Sequence, residues 1–135
     1  MKKLNLDYVD IIQVHDVEFA PSLDIILNET LPALAEVVKA GKARMIGVTG
    51  YPIEPLDELI RRSTVPIDMV LCYTRGSMAD QKLQQFVPGW REKGIFIVNA
   101  SPLAMGLFRR GGPQPWHPAN DDLKEEIKVL TLNYP

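Results

Sequence analysis

Four short runs rich in β-branched and apolar residues, Tyr8–Asp16, Met45–Gly50, Ile67–Tyr73 and Ile95–Ala100, recur along the chain with one helical stretch between each pair. This alternation is the signature of repeated βαβ units and predicts an α/β fold with a parallel sheet, because parallel neighbours need a crossover long enough to hold a helix. The first run has apolar residues on both parities, as expected of a strand covered on both faces. Strands of this kind carry chemistry at their C-terminal ends. The first run delivers His15 there, followed by Asp16-Val17-Glu18-Phe19. Position alone leaves two readings open for His15, a functional group at a strand end or a core histidine satisfied by its neighbours.

The intervening segments carry their own start and stop signals. Pro21-Ser22 opens a helical region, Pro32 restarts it near Thr30, and Gly41 stops it. Pro55–Arg62 fits a short helix with Leu56, Leu59 and Ile60 inward. Gln81–Lys93 reads as a helix interrupted at Pro88-Gly89, and Asn120 or Asp121 caps a last helix. Met1–Leu6 resembles the final turn of a helix whose beginning is absent. Phe108–Ala119, crowded with proline and glycine, predicts a long surface loop in which His117 is a solvated turn residue. The second strand ends in Gly47-Val48-Thr49-Gly50, small residues that either let a ligand approach the backbone or make a tight turn.

Composition narrows the function classes. With 46% hydrophobic residues the chain can bury a core, and a net charge of −2 with interspersed signs offers no basic face for nucleic acid. No apolar run approaches the length of a membrane span, and the start lacks a signal-type apolar core, so a cytoplasmic protein is expected. The single cysteine, Cys72, excludes an internal disulfide and a cysteine-clustered metal site; with no adjacent cation it is expected to pack, not react.

Three motifs in order, Asp7-Tyr8-Val9-Asp10-Ile11-Ile12-Gln13-Val14-His15, Gly41-Lys42-Ala43-Arg44-Met45-Ile46-Gly47-Val48-Thr49 and Ala100-Ser101-Pro102-Leu103-Ala104-Met105-Gly106-Leu107, closely resemble the aldo-keto reductases. Within that family the pattern is closest to the L-galactose and D-threo-aldose dehydrogenase branch, through His15–Phe19, Asn28–Leu34 and Pro115–Ala119. The resemblance covers nearly the whole chain and implies a partial (β/α)₈ TIM barrel over residues 1–135, about strands four to seven, truncated at both ends.

It further implies an NAD(P)-dependent oxidoreductase acting on an aldose such as L-galactose. His15 matches the histidine that hydrogen-bonds the reacting oxygen beside a catalytic tyrosine. Thr49 and Gly50 stand where serine and asparagine usually hold the nicotinamide carboxamide, and Ser101, Leu103 and Gly106 match the loop around the cofactor pyrophosphate. Leu71 stands where glutamine is common, and Ala100 where an aromatic often stacks on the nicotinamide. The family's catalytic tyrosine, lysine and aspartate have no counterpart here; Tyr8 begins a strand at the wrong end, and Tyr51 has no partner lysine. The alternative of another class is a non-catalytic half-barrel that self-associates through its open sheet edges, with no nucleic-acid or membrane partner.

Overall fold

The computed structural model describes residues 2–133. A single 3₁₀ turn, Lys2–Leu4, precedes β1 (Val9–Val14), and the chain then runs through α1 (Leu23–Ile25), α2 (Leu31–Lys39), β2 (Ala43–Gly50), α3 (Ile53–Arg62), β3 (Met69–Tyr73), α4 (Val87–Glu92), β4 (Phe96–Ala100) and α5 (Asp121–Asn133). The strands form one sheet in sequence order, β1-β2-β3-β4, and every pairing is parallel. The alternation read from the sequence therefore gives the layout it implies, with all strand C-termini at one edge.

Local chemistry sets the element boundaries. The Ser22 side chain accepts from Asp24 N–H at 3.1 Å, capping α1. Between α1 and α2 the backbone widens into a π turn, Ile26–Thr30, in which Leu31 N–H reaches Ile26 C=O. This wider turn brings Pro32 into the first turn of α2, where its missing N–H is harmless. The expected break at Pro88-Gly89 lies earlier: a 3₁₀ turn, Lys82–Gln85, ends at Phe86, and Pro88 falls in the first turn of α4 for the same reason. Asn120 Oδ1 accepts from Leu123 N–H at 2.9 Å and starts α5.

The helices cover one face of the sheet only. Strand alternation directs Ile12 and Val14, Ile46 and Val48, Val70 and Cys72, and Ile97 toward them, into a core with Leu31, Ile53, Leu56, Leu59 and Trp90. Trp90, 2% exposed, joins α4 to α3 by donating from Nε1 to Asp57 Oδ1 at 3.0 Å. Burial pushes the Cys72 thiol up to about 11, so it is an inert packing group, as expected.

The opposite face carries Ile11, Met45, Met69, Leu71, Tyr73, Phe96 and Val98 without a helical layer. Gln13 and Met69 lean over Gly47, where an added Cβ would come within 2.9 Å of Gln13 Cγ, while Phe96 is 63% exposed. β1 is accordingly not buried on both faces as its composition suggested. It is an edge strand with Asp10 and Gln13 exposed, and its apolar residues on the second parity meet no cover among the described residues.

Candidate active site

The parallel register brings the ends of all strands together. His15 follows β1, Thr49-Gly50 ends β2, Tyr73 ends β3, and Ala100-Ser101 leads out of β4. His15 is no core residue: its side chain is 81% exposed, and its Nδ1 lies 3.3 Å from Asp16 Oδ2. The core alternative left open by the sequence is thereby removed, and the ring is free to meet a ligand with Nε2.

Asp16 takes a left-handed conformation, φ 50°, which turns its N–H toward Thr49 Oγ1 at 2.8 Å. Thr49 is buried, 3% exposed, and its hydroxyl in turn points to Asp16 Oδ1 at 3.5 Å. Thr49 thus ties β1 to β2 directly beneath His15. Gly50 has a local explanation too. Glu18 accepts from Tyr51 N–H through Oε1 at 2.9 Å, and its Oε2, shielded from solvent without a hydrogen-bond partner, lies where an alanine Cβ at position 50 would come within 2.8 Å. Glycine stands here because a carboxylate occupies the space beside it.

Tyr51 is the hub of this edge and was not selected from the sequence. Its N–H binds Glu18, its C=O accepts from Arg75 Nε at 3.0 Å, its hydroxyl donates to Met105 Sδ at 3.4 Å, and its ring lies 4.5 Å from that of Tyr73. Burial, and then the neighbouring Tyr73 and Asp16, hold its phenol above the usual tyrosine range, the opposite of what a proton-transferring tyrosine needs. Arg75 also pairs with Asp80, Nη1 to Oδ2 at 2.8 Å, and Asn99 clamps Gly76 at both ends, accepting from its N–H at 3.1 Å and donating to its C=O at 2.9 Å.

The loop after β4 is a run of left-handed residues: Ser101 φ 54°, Ala104 46°, Met105 56° and Gly106 90°. Non-glycine residues hold such angles only when their surroundings fix them. Ser101 Oγ accepts from Met105 N–H at 2.8 Å, and the imidazole of His117 closes the loop from the far side. His117 corrects the sequence reading. It is 6% exposed, with Nε2 donating to Ala104 C=O at 2.9 Å and Nδ1 accepting from Ala119 N–H at 3.1 Å, so the ring is a structural clasp within the proline-rich segment. Nothing in the local sequence distinguishes this histidine from a solvated one, since its partners lie thirteen residues away in one direction and two in the other.

Leu103 stands 54% exposed beside the loop, and Arg109 lies against Gly106 with Cδ at the 3.4 Å limit of an added Cβ. Arg109 and Arg110 are exposed and enter no ion pair among the described residues. Two unpaired guanidiniums next to a strained loop at the sheet's C-terminal edge suit the phosphates of a dinucleotide. The described residues contain no cluster of His, Cys, Asp or Glu able to hold a metal ion, and no helix is long and apolar enough to cross a membrane.

The Aldo/keto reductase family model matches residues 1–134. The chain belongs to the aldo/keto reductase family. It is 43% identical to the L-galactose dehydrogenase of Arabidopsis thaliana over 98% of this chain and 42% of that protein. It is 29% identical to the D-arabinose 1-dehydrogenase of Saccharomyces cerevisiae over 92% of this chain and 39% of that one. Among solved structures, aldo-keto reductase AKR11C1 from Bacillus halodurans in its holo form superposes with a TM-score of 0.73 and 26% identity, covering 99% of this chain and 44% of that one. The aldo/keto reductase chain described here spans less than half the length of these relatives, and its parallel four-stranded sheet is a partial (β/α)₈ barrel.

Proposed function

We propose that this chain is the part of an aldose dehydrogenase that orients the reacting sugar oxygen and holds one side of a nicotinamide dinucleotide, with L-galactose the leading substrate. The similarity to L-galactose dehydrogenase over 98% of the chain carries the reading, joined by an exposed histidine at the shared sheet edge. When bound, the nicotinamide supplies a hydride acceptor for the hydrogen on C1 of the sugar. The work of this chain's own residues is positional. His15 offers Nε2 to the C1 oxygen while Asp16 steadies Nδ1, and an oriented donor of this kind favours the charge that builds on the oxygen as its proton leaves. Ser101, Leu103 and Gly106 shape the loop toward the phosphates, with Arg109 and Arg110 supplying charge. Thr49 supports the site through Asp16, and Gly50 leaves room for Glu18.

Proton transfer is assigned to a group outside these residues. Tyr51 is committed to Met105 Sδ and its phenol is raised, so it does not take that role. The test compares two proteins: a full barrel containing these residues, and the 135-residue polypeptide. The full barrel should produce reduced nicotinamide from L-galactose. The shorter chain should give none, since loss of a general acid–base alone costs about 10²- to 10⁴-fold. A full barrel inactive with every aldose overturns the assignment.

A further inference from the structure

The loop after β4 is held shut by one imidazole whose two nitrogens face opposite kinds of partner. Ala104 C=O can only accept, so the His117 ring carries its hydrogen on Nε2 and donates from there at 2.9 Å. Ala119 N–H can only donate, so it meets a bare lone pair on Nδ1 at 3.1 Å. One form of the ring makes both contacts, the neutral Nε2–H tautomer. A proton added to Nδ1 would set N–H against N–H where the residue is 6% exposed. It would also bring a charge into that enclosure.

The ionisable groups around the ring do not balance such a charge. Ala104–Leu107 contributes none. Tyr51 reaches this loop from the other side, with its hydroxyl on Met105 Sδ. The segment's own Arg109 and Arg110 are cations, and both are exposed. The first turn of α5 brings Asp121, Asp122 and Lys124, but Asp121 is turned to Lys124, both aspartates are exposed, and no carboxylate pairs with His117 among the described residues. The ring's remaining neighbour is the stacked ring of Trp116 at 6.3 Å.

The clasp is also placed to open without the sheet. Ala104 and Ala119 belong to a small apolar cluster with Leu107, Phe108 and Ile127, separate from the core under the helices. The loop it closes holds Ser101, Ala104 and Met105 in left-handed backbone. A segment with its own small core and a strained backbone opens at lower cost than the strands.

We infer that His117 is a proton-operated latch on the loop after β4: neutral, it holds the loop closed, and protonated, it lets go. The sign follows from the tautomer. The closed loop excludes the second proton and the open loop, with the ring in water, accepts it, so acid favours opening. Solvated histidine side chains take up that proton at about pH 6.5. Below this, one proton is linked to opening, and loop protection should fall by up to about tenfold per pH unit. The latch stands on the clasp alone. Its consequence, a dinucleotide released in acid, rests on the reading given under Proposed function.

Hydrogen exchange on the purified 135-residue chain from about pH 8 to about pH 5, corrected for the intrinsic rate at each pH, tests the latch. Amides from Ser101 to Ala119 should lose protection toward the acid end while β2 and β3 keep theirs. In His117→Gln, which has no titrating ring, loop protection should stay level with pH. Should that variant lose loop protection already at the alkaline end, NMR of the parent decides: proton uptake by the ring and loss of the Ala119 N–H contact share one midpoint, and separate midpoints overturn the latch. Level protection in the parent, or an equal acid slope in His117→Gln, overturns it as well. Opening as expected, with NAD⁺ binding by calorimetry that does not weaken alongside it, upholds the latch and removes this loop from the dinucleotide reading.

Discussion

On the proposed reading, His15 and Ser101 divide the work of the site in a way that kinetics can separate. In a full barrel, His15→Ala should lower the hydride-transfer rate by about 2.7 to 4 kcal/mol of transition-state stabilisation and leave cofactor affinity nearly unchanged, because the proposed reading sets its exposed ring against the reacting oxygen. Ser101→Ala should do the reverse, since its hydroxyl fixes the strained loop through Met105 N–H at 2.8 Å. Single-turnover rates and cofactor titrations on both variants check this; a hydride-transfer step within a few-fold of the parent in His15→Ala removes the histidine from the chemistry. At Gly50 the expected defect is steric. Gly50→Ala should destabilise by about 1 to 3 kcal/mol, read by denaturant unfolding. Adding Glu18→Ala should cost less in that background than alone, because it removes the clashing carboxylate. The place of His15 at a strand's C-terminal end was legible in the sequence because a histidine closing an apolar run is a local pattern. Glu18, Tyr51 and His117 were not, because each acquires its role from a partner distant in sequence or from a backbone turn that composition does not encode.

The elements behaved as their punctuation implied wherever one residue type sets a boundary. Ser22, Pro32, Gly41 and Asn120 each sit where capping and the missing proline N–H place them. What misled was proline read as a break: at Pro88 the helix begins, not ends. Two consequences belong to this scale. The loop from Ala104 to Ala119 depends on the His117 clasp, so His117→Ala should speed amide exchange and protease cleavage there while the sheet keeps its protection. The loop after β3 depends on Arg75–Asp80. Burial raises the Asp80 carboxyl, but the Arg75 guanidinium and the Lys82 N–H outweigh it, and the group lies below its ordinary range. A depressed carboxyl adds stability above its unfolded pKa and loses it as pH falls through the folded value. Melting temperature should therefore fall with acid more steeply in the parent than in Asp80→Asn, and parallel slopes would remove the pair from the acid response.

At the scale of the whole molecule, the sheet's two faces differ in kind. One is packed under α2, α3 and α4; the other leaves Leu71, Val98 and Phe96 partly or largely open, and both edge strands carry unpaired backbone groups. Apolar alternation could not reveal this asymmetry, because a strand in a closed barrel and one in an open sheet share the same pattern of inward residues. A polypeptide of these 135 residues exposes a surface of the kind that drives association, and the cover that suits it is a second sheet of the same kind. Four parallel strands are half of an eight-stranded barrel, and β4 of one copy set against β1 of the next extends the parallel register in both directions. The expected species by light scattering coupled to size exclusion is thus a dimer or a larger even assembly, shifting to monomer on dilution. Phe96→Glu, which puts a charge on the open face without touching the helix-side core, should shift that equilibrium toward monomer by more than tenfold, since burying an unpaired carboxylate in the interface is costly. A chain that stays monomeric at every concentration, or a Phe96→Glu variant that associates as strongly as the parent, shows that the open face is not where copies meet.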